Sequence, residues 1–336
     1  MAADDNLVAI RDMPVRVGIV AIDDCLTVAV GGLLDVFAVA NRWHRIRTPQ
    51  GKRLFEPSIR SDRTVVNSFT GYPIPIDGSL KSWEGDVLIC SAVAHDPVRT
   101  MEQNSDLADS LGVIATRRGV TVASVCTGAF FLAEAGLLQN RRATTNPMYA
   151  RSFSARYPSV ELCLSRVLVD EGPVITAGTV SAGLNLALHL VEKHGGVEIA
   201  SLTAKALAID KNRVSQAPYL IPSYRLEEGD ALTVRTQRWL EAHHSDAGVD
   251  LEGAAQALGA SSRTLQRHFT GVTGIGPMHY LRLVRLEAAK RLLETTDESI
   301  EAVAWKVGYS EVGTFHRMFK AQVELTPAAY RSKFGK

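Results

Sequence analysis

Two patterns of apolar and polar positions divide this chain. In roughly the first two hundred residues, short unbroken apolar runs alternate with stretches of helical spacing. Residues 15–21 (VRVGIVA), 86–91 (DVLICS) and 120–125 (VTVASV) read as buried strands. A strand covered on both faces loses the polar alternation of a half-exposed one. Residues 33–43, 97–118, 127–135 and 181–194 carry apolar positions three and four apart, as helices do. Gly136 and the Gly195–Gly196 pair supply helix stops. Residues 167–170 and 174–177 bracket a Glu-Gly-Pro turn. Such alternation predicts an α/β flavodoxin-like domain, a parallel sheet with helices on both faces.

Between about Asp210 and Glu228 the periodicity fails, with two prolines and no sustained period. Beyond it no strand pattern survives, and residues 232–242 open an all-α region with Trp239 and Leu240 on the apolar side. The expected division is a first domain over 14–205, a linker over 206–229 and a helical domain over 230–334. A chain of 336 residues, 46% hydrophobic, can fill both cores.

The helical region repeats itself. Gly259 falls on Gly308 and Ser261 on Ser310, 49 residues apart. Arg267 falls on Arg317, Phe269 on Phe319, Pro277 on Pro327 and Tyr280 on Tyr330, 50 apart, so one copy carries a single-residue insertion. Each copy has the grammar of a helix-turn-helix. In the first, Leu251, Ala254, Ala255 and Leu258 form a stripe, Gly259 turns, and Ser261 is placed to cap a helix that buries Leu265 and Phe269. Ser262, Arg263, Thr264, Gln266, Arg267 and Thr270 are left outward. These side chains suit DNA: Arg matches guanine, Gln matches adenine, and Ser or Thr bonds phosphate.

In the second copy Ile300, Val303, Ala304 and Val307 make the stripe, Gly308 turns, Ser310 is placed to cap, and Phe315 and Phe319 anchor. Gly313, Thr314, His316, Arg317 and Lys320 face out; Gly313 offers no side chain, so this copy is expected to read fewer bases. Between the copies Pro277 opens a helix with Leu281, Val284, Ala288 and Leu292 along one side. A spacer of about 16 residues spans roughly 24 Å, against about 34 Å for a turn of B-DNA. Two recognition helices in successive major grooves are therefore expected. A helical interaction module with solvated arginines is the competing reading.

Net charge is only +1, so charge must be judged locally. Residues 263–291 hold Arg263, Arg267, Arg282, Arg285, Lys290 and Arg291 against Glu287, a basic face inside a neutral domain. The start of the chain is acidic, with no signal-like segment, and no apolar run is long enough for a membrane span. A soluble, cytoplasmic protein is expected, nucleoid-associated when bound to DNA. No metal or cofactor is expected.

The four cysteines show neither a CxxC nor a paired framework. Cys126 differs from the others: the strand 120–125 runs straight into it and then into a helix, the arrangement of a nucleophile elbow, where a helix N-terminus lowers a thiol pKa. Catalysis also needs a base or acid in reach. No His lies nearby in sequence; His95 follows the strand 86–91, and His189 and His194 sit on a later helix. A reactive cysteine, a redox-sensing cysteine and a purely geometric turn all remain open.

Residues 230–334 resemble the AraC/XylS family of transcription regulators, most specifically in TPAAYR around Pro327 and Tyr330, AVAWKVGYS at 302–310 and LEAAKRLLE at 286–294. Residues 14–198 resemble the PfpI-type, class I glutamine-amidotransferase-like superfamily through SVCTGAFFLAEAGLL and the following RRATTNP. The two together resemble GlxA-type regulators. The resemblance implies a sensor and dimerisation domain followed by a double helix-turn-helix, an activator of transcription binding a double-stranded operator as a homodimer, and contact with RNA polymerase. It implies base reading by Arg263, Gln266 and Arg267, with His316 and Arg317 in the second helix, and a small-effector pocket at Cys126, Thr127, Gly128 and Asn146. The enzymes of that superfamily carry His where this chain has Asn146, and an acid where it has Ala29. No catalytic residue is therefore expected; a cysteine-dependent hydratase or amidase fused to a DNA-binding domain is the alternative.

Overall fold

A computed structural model describes residues 13–220 and 230–336. They form two compact units that divide between Gln216 and Ala217.

In the first unit β1 (Val15–Val20) leads into α1 (Thr27–Arg47), and β2 (Phe55–Arg60) follows. A small hairpin, β3 (Val65–Asn67) and β4 (Pro73–Pro75), precedes β5 (Val87–Cys90). Then come α2 (Pro97–Gln103), α3 (Ser105–Ala115), β6 (Thr121–Val125) and α4 (Ala129–Glu134). The unit is completed by β7 (Arg142–Ala143), α5 (Ala150–Arg156), β8 (Glu161–Leu162), β9 (Leu168–Asp170), β10 (Val174–Ala177) and α6 (Ala182–Ala206). The main sheet has the order β2-β1-β5-β6-β10-β9. All its neighbours pair parallel except β9, which is antiparallel to β10. One apolar core joins the sheet to α1 and α6; a second joins it to α3 and α4. This is the doubly covered parallel layer that the apolar runs predict.

Several boundaries differ from the periodicity. The stretch 97–118 breaks at Asn104 (φ −129, ψ 42), whose side chain donates to the Thr100 carbonyl, so two helices replace one. Gly196 (φ 84, ψ 164) does break the backbone, but helix resumes at once and α6 ends at Ala206. The short strands β2, β3, β4, β7 and β8 carry too little periodicity to be read from sequence. Residues 206–216 are not an open linker. Val167 N donates to the Val214 carbonyl, and buried Gln216 bonds the Ser165 and Leu164 carbonyls, which pins this stretch to the first unit. Residues 221–229 of the expected linker lie outside the described residues.

The second unit holds α7 (Ala231–Ala242), α8 (Leu251–Ala257), α9 (Ser262–Thr273), α10 (Pro277–Thr295), α11 (Ile300–Lys306), α12 (Val312–Val323) and α13 (Pro327–Phe334). Phe269, Leu240, Tyr280 and Leu281 form one small core. Phe315, Phe319, Tyr330, Leu286, Ala289 and Leu293 belong to the other. The spacer α10 has 19 residues, about 28 Å at helical rise. Of the expected stripe it buries Leu281 but leaves Val284, Ala288 and Leu292 half-buried, and it buries Leu286, Ala289 and Leu293 as well, because it serves both cores and needs two apolar faces.

Candidate nucleic-acid interface and cysteine site

Each copy builds its exposed helix from the same local rules. Gly259 (φ 68) and Gly308 (φ 87) take the left-handed turn between helices. Ser261 accepts from Thr264 N at 3.2 Å and caps α9. Leu265 and Phe269 anchor that helix at 0% exposure. Arg263, Gln266 and Arg267 are exposed, and Ser262 and Thr264 are half-buried. Spacings of three and four put Arg263, Gln266 and Arg267 on one face. Gln266 Nε2 also donates to Thr270 Oγ1 at 3.2 Å, which orients the amide before any ligand arrives.

The second copy departs from the expected cap. Ser310 does not cap α12; the cap position is Glu311, without a side-chain bond to the backbone. The single-residue insertion falls here, between the turn and the helix, and moves Ser310 one position too early. Phe315 and Phe319 are fully buried, as in the first copy. Thr314 and Arg317 are exposed and linked: Arg317 Nη2 donates to Thr314 Oγ1 at 2.9 Å, and Thr314 Oγ1 to Glu311 Oε2 at 3.2 Å. His316 is half-buried, three residues from Gly313 and four from exposed Lys320, at the edge of the face they share with Arg317. Lys320 therefore joins that face, a position the outward spacing already marked.

The basic face is narrower than the sequence implies. Arg282 and Arg291 on α10 are exposed, but Arg285 is 9% and Lys290 5% exposed. Lys290 Nζ donates to the Leu220 carbonyl at 2.7 Å and pairs with Glu287 at 3.0 Å. Both cations are spent on holding the unit together.

In the first unit, Cys126 sits at the carboxyl end of β6 with φ 57, a left-handed conformation unusual for a residue with a Cβ. The structure brings Cys126, Thr127, Gly128 and Asn146 together. Thr127 Oγ1 bonds both the N (2.8 Å) and O (2.9 Å) of Val93. A Cβ on Gly128 would lie 2.5 Å from the Cys90 carbonyl oxygen, so only glycine fits. Thr145 Oγ1 donates to the Cys126 carbonyl at 2.9 Å. Asn146 hydrogen-bonds the Cys126 thiol and accepts from Met148 N at 3.1 Å.

Burial here opposes the lowering that a helix N-terminus gives a thiol. Cys126 is 2% exposed, and burial pushes its pKa up to about 11; bonds from Thr127, Asn146 and Val180 only partly oppose this. A protonated, enclosed thiol is a poor nucleophile and a poor redox sensor. Ala29 is buried at 2% and supplies no acid. His95 Nδ1 lies 3.6 Å from Asp24 Oδ2, and His189 Nε2 lies 2.7 Å from Asp170 Oδ2, so both histidines pair with aspartates. Among the described residues no group of three or more His, Cys, Asp or Glu could hold a metal ion. No helix among them is long and apolar enough to cross a membrane.

The DJ-1/PfpI family profile matches residues 59–193, and the profile described as a helix-turn-helix domain matches residues 254–333. The HTH-type transcriptional regulator CdhR of Pseudomonas aeruginosa is 25% identical over 296 residues, 87% of this chain and 82% of that protein. The HTH-type transcriptional regulator GlxA of Rhizobium meliloti is 27% identical over 225 residues, 66% of this chain and 68% of that protein. The crystal structure of an AraC family transcriptional regulator from Pseudomonas putida shares the fold, with TM-score 0.50 and 22% identity over 58% of this chain and 100% of that chain. A ThiJ/PfpI family protein from Pseudomonas syringae does so with TM-score 0.51 and 18% identity over 68% of this chain and 84% of that chain. The chain thus joins a region that matches the DJ-1/PfpI family to one that matches a helix-turn-helix domain, and over most of its length it is similar to HTH-type transcriptional regulators.

Proposed function

We propose that the protein is a sequence-specific transcription regulator that sets α9 and α12 in successive major grooves of an operator. The observation that carries this reading is the doubled unit itself. Two helices of the same construction each bury two aromatic or aliphatic anchors and expose basic side chains on the opposite face. Arg263, Gln266 and Arg267 read bases, and Ser262 and Thr264 bond phosphate near the start of α9. Thr314, His316 and Arg317 act from α12. That helix contributes mainly affinity and register, since Glu311 competes for its Thr314–Arg317 pair and Gly313 reads nothing.

The first unit serves assembly as a homodimer and binds a small effector above Cys126, with Asn146 as the half-exposed polar contact. Relatives named as regulators and a buried, protonated thiol both argue against a hydratase or amidase. Activation through RNA polymerase is the mode we assign. Operator binding measured by fluorescence anisotropy at fixed salt tests the reading. Arg267→Ala should cost about 1–3 kcal/mol on the specific site and relax preference at one base pair. Affinity unchanged on specific and random DNA alike would overturn it.

A further inference from the structure

We propose that the first unit carries a second site, a basic pocket that binds a small polyphosphorylated molecule. A cavity of about 400 Å³ lies between α1 and β2, walled by Arg42, Arg45, Lys52 and Arg53 over a floor that includes Asn41 and Pro57. The size suits a small-molecule head group. Arg42 and Arg45 project from α1, while Lys52 and Arg53 precede the first residue of β2. In this parallel layer Cys126 follows the carboxyl end of β6. The basic pocket is therefore at the opposite end of the sheet from the cysteine site.

Four cations converge here without an acid. Among the described residues, none of the four takes part in an ion pair or side-chain hydrogen bond. Glu56 is exposed on the other face of β2, because strand alternation turns Phe55 and Pro57 toward α1 and Glu56 away. Asp35 lies two helical turns before Arg42. Acids do reach this helix elsewhere: Arg47, just beyond the pocket, pairs with Glu198 at 2.7 Å. Converging like charges repel, and a bound anion turns that repulsion into attraction. Basic residues at the carboxyl end of α1 complement its dipole, which accounts for Arg45 but not for Lys52 and Arg53, which lie beyond the helix.

The floor is rigid. Asn41 Nδ2 donates to the Phe55 carbonyl and Asn41 Oδ1 accepts from Phe55 N, both at 2.8 Å. Phe55 is fully buried. This reciprocal pair holds α1 and β2 at a fixed separation, so the backbone that carries the four cations is set before a ligand arrives. Guanidinium forks bond phosphoryl oxygens in pairs, and a formal charge of four matches two or more phosphoryl groups. A concave pocket favours a compact ligand over the backbone of a duplex.

Calorimetric titration of the full chain with inorganic phosphate, pyrophosphate and tripolyphosphate, at fixed ionic strength, tests the site. Affinity should rise with the number of phosphoryl groups. Arg42→Gln combined with Arg53→Gln should weaken pyrophosphate binding by roughly tenfold or more. Arg47→Gln, and Arg263→Ala combined with Arg267→Ala, should leave it within about twofold. All these side chains are exposed, so circular dichroism should show an unchanged fold. Absence of binding to all three anions at millimolar concentration overturns the proposal. So does a loss that follows Arg263 and Arg267, which would place the anion on the DNA-reading face. The measurement uses no operator, so it stands apart from the DNA-binding reading.

Discussion

Arg285 donates from Nε to the His244 carbonyl oxygen at 2.9 Å, across the boundary between the two halves of the helical unit. Its Nη2 donates to the Asp246 carbonyl at 2.7 Å, and its guanidinium lies 5.4 Å from the centre of the Tyr309 ring. Gly308 packs against the same carbonyl and guanidinium, where a Cβ would collide with both. One buried arginine thus ties the end of α7 to the spacer and to the turn that precedes α12. The relative pose of the two recognition helices rests on these contacts.

Arg285→Leu should lower the stability of the second unit by about 1.5–3 kcal/mol, since two backbone carbonyls lose a charged donor. Arg285→Lys should recover less than half, because an ammonium lacks the fork that serves two acceptors at once. Urea unfolding followed at the helical signal measures both. The lysine variant should also lose its discrimination between operators with correct and altered groove spacing; discrimination equal to wild type would remove the orienting role.

The two tyrosines of the repeat should behave alike. Tyr280 donates to Glu241 at 2.6 Å and Tyr330 to Glu294 at 2.5 Å, so each copy fastens a core tyrosine to an acid on an earlier helix. Tyr280→Phe and Tyr330→Phe should each cost about 1.5–3 kcal/mol, the range for bonds to charged groups. Thermal unfolding of the two variants checks this.

Arg317 and Arg267 should separate by salt. An α12 that contributes mainly affinity predicts that Arg317→Ala weakens specific and non-specific DNA similarly and lowers the salt slope by about one. Arg267→Ala should act mainly on the specific site. Titrations at several salt concentrations distinguish the two.

Three enclosed thiols predict an alkaline loss of stability. Burial raises Cys25 and Cys126 to about 11 and Cys90 to about 12, from a reference of 9.0. Above the unfolded pKa the native state holds protons that the unfolded state releases. Their contribution is therefore complete below about pH 9 and falls as pH rises toward about 11 to 12. Chemical unfolding from pH 8 upward should show the decline, and Cys126→Ala should reduce it. Iodoacetamide at neutral pH should modify half-exposed Cys163 well before Cys126.

The strand–helix alternation, the doubled helix-turn-helix and the outward faces of α9 and α12 were legible because each depends on local spacing. Leu265 and Phe269, four apart, are buried wherever that helix packs, and a Gly at the turn needs no distant partner. Ser310 does not cap as expected, and Glu311 takes the cap position without a side-chain bond, because the repeat's insertion lies at the helix start and an approximate alignment hides it. Arg285 and Lys290 looked like part of a DNA face because charge in a sequence carries no depth. An activated Cys126 stayed among the open readings because the elbow is local, whereas the enclosure that raises its pKa comes from segments distant in sequence. The basic pocket was invisible for the same reason, since Arg42 and Arg53 meet only when α1 packs beside β2. The sequence by itself determined the elements, their order and the repeated reader, all products of short-range periodicity. Tertiary structure decided which charges are buried, which thiol is silent and where four cations converge, because burial and electrostatics depend on every element that packs nearby.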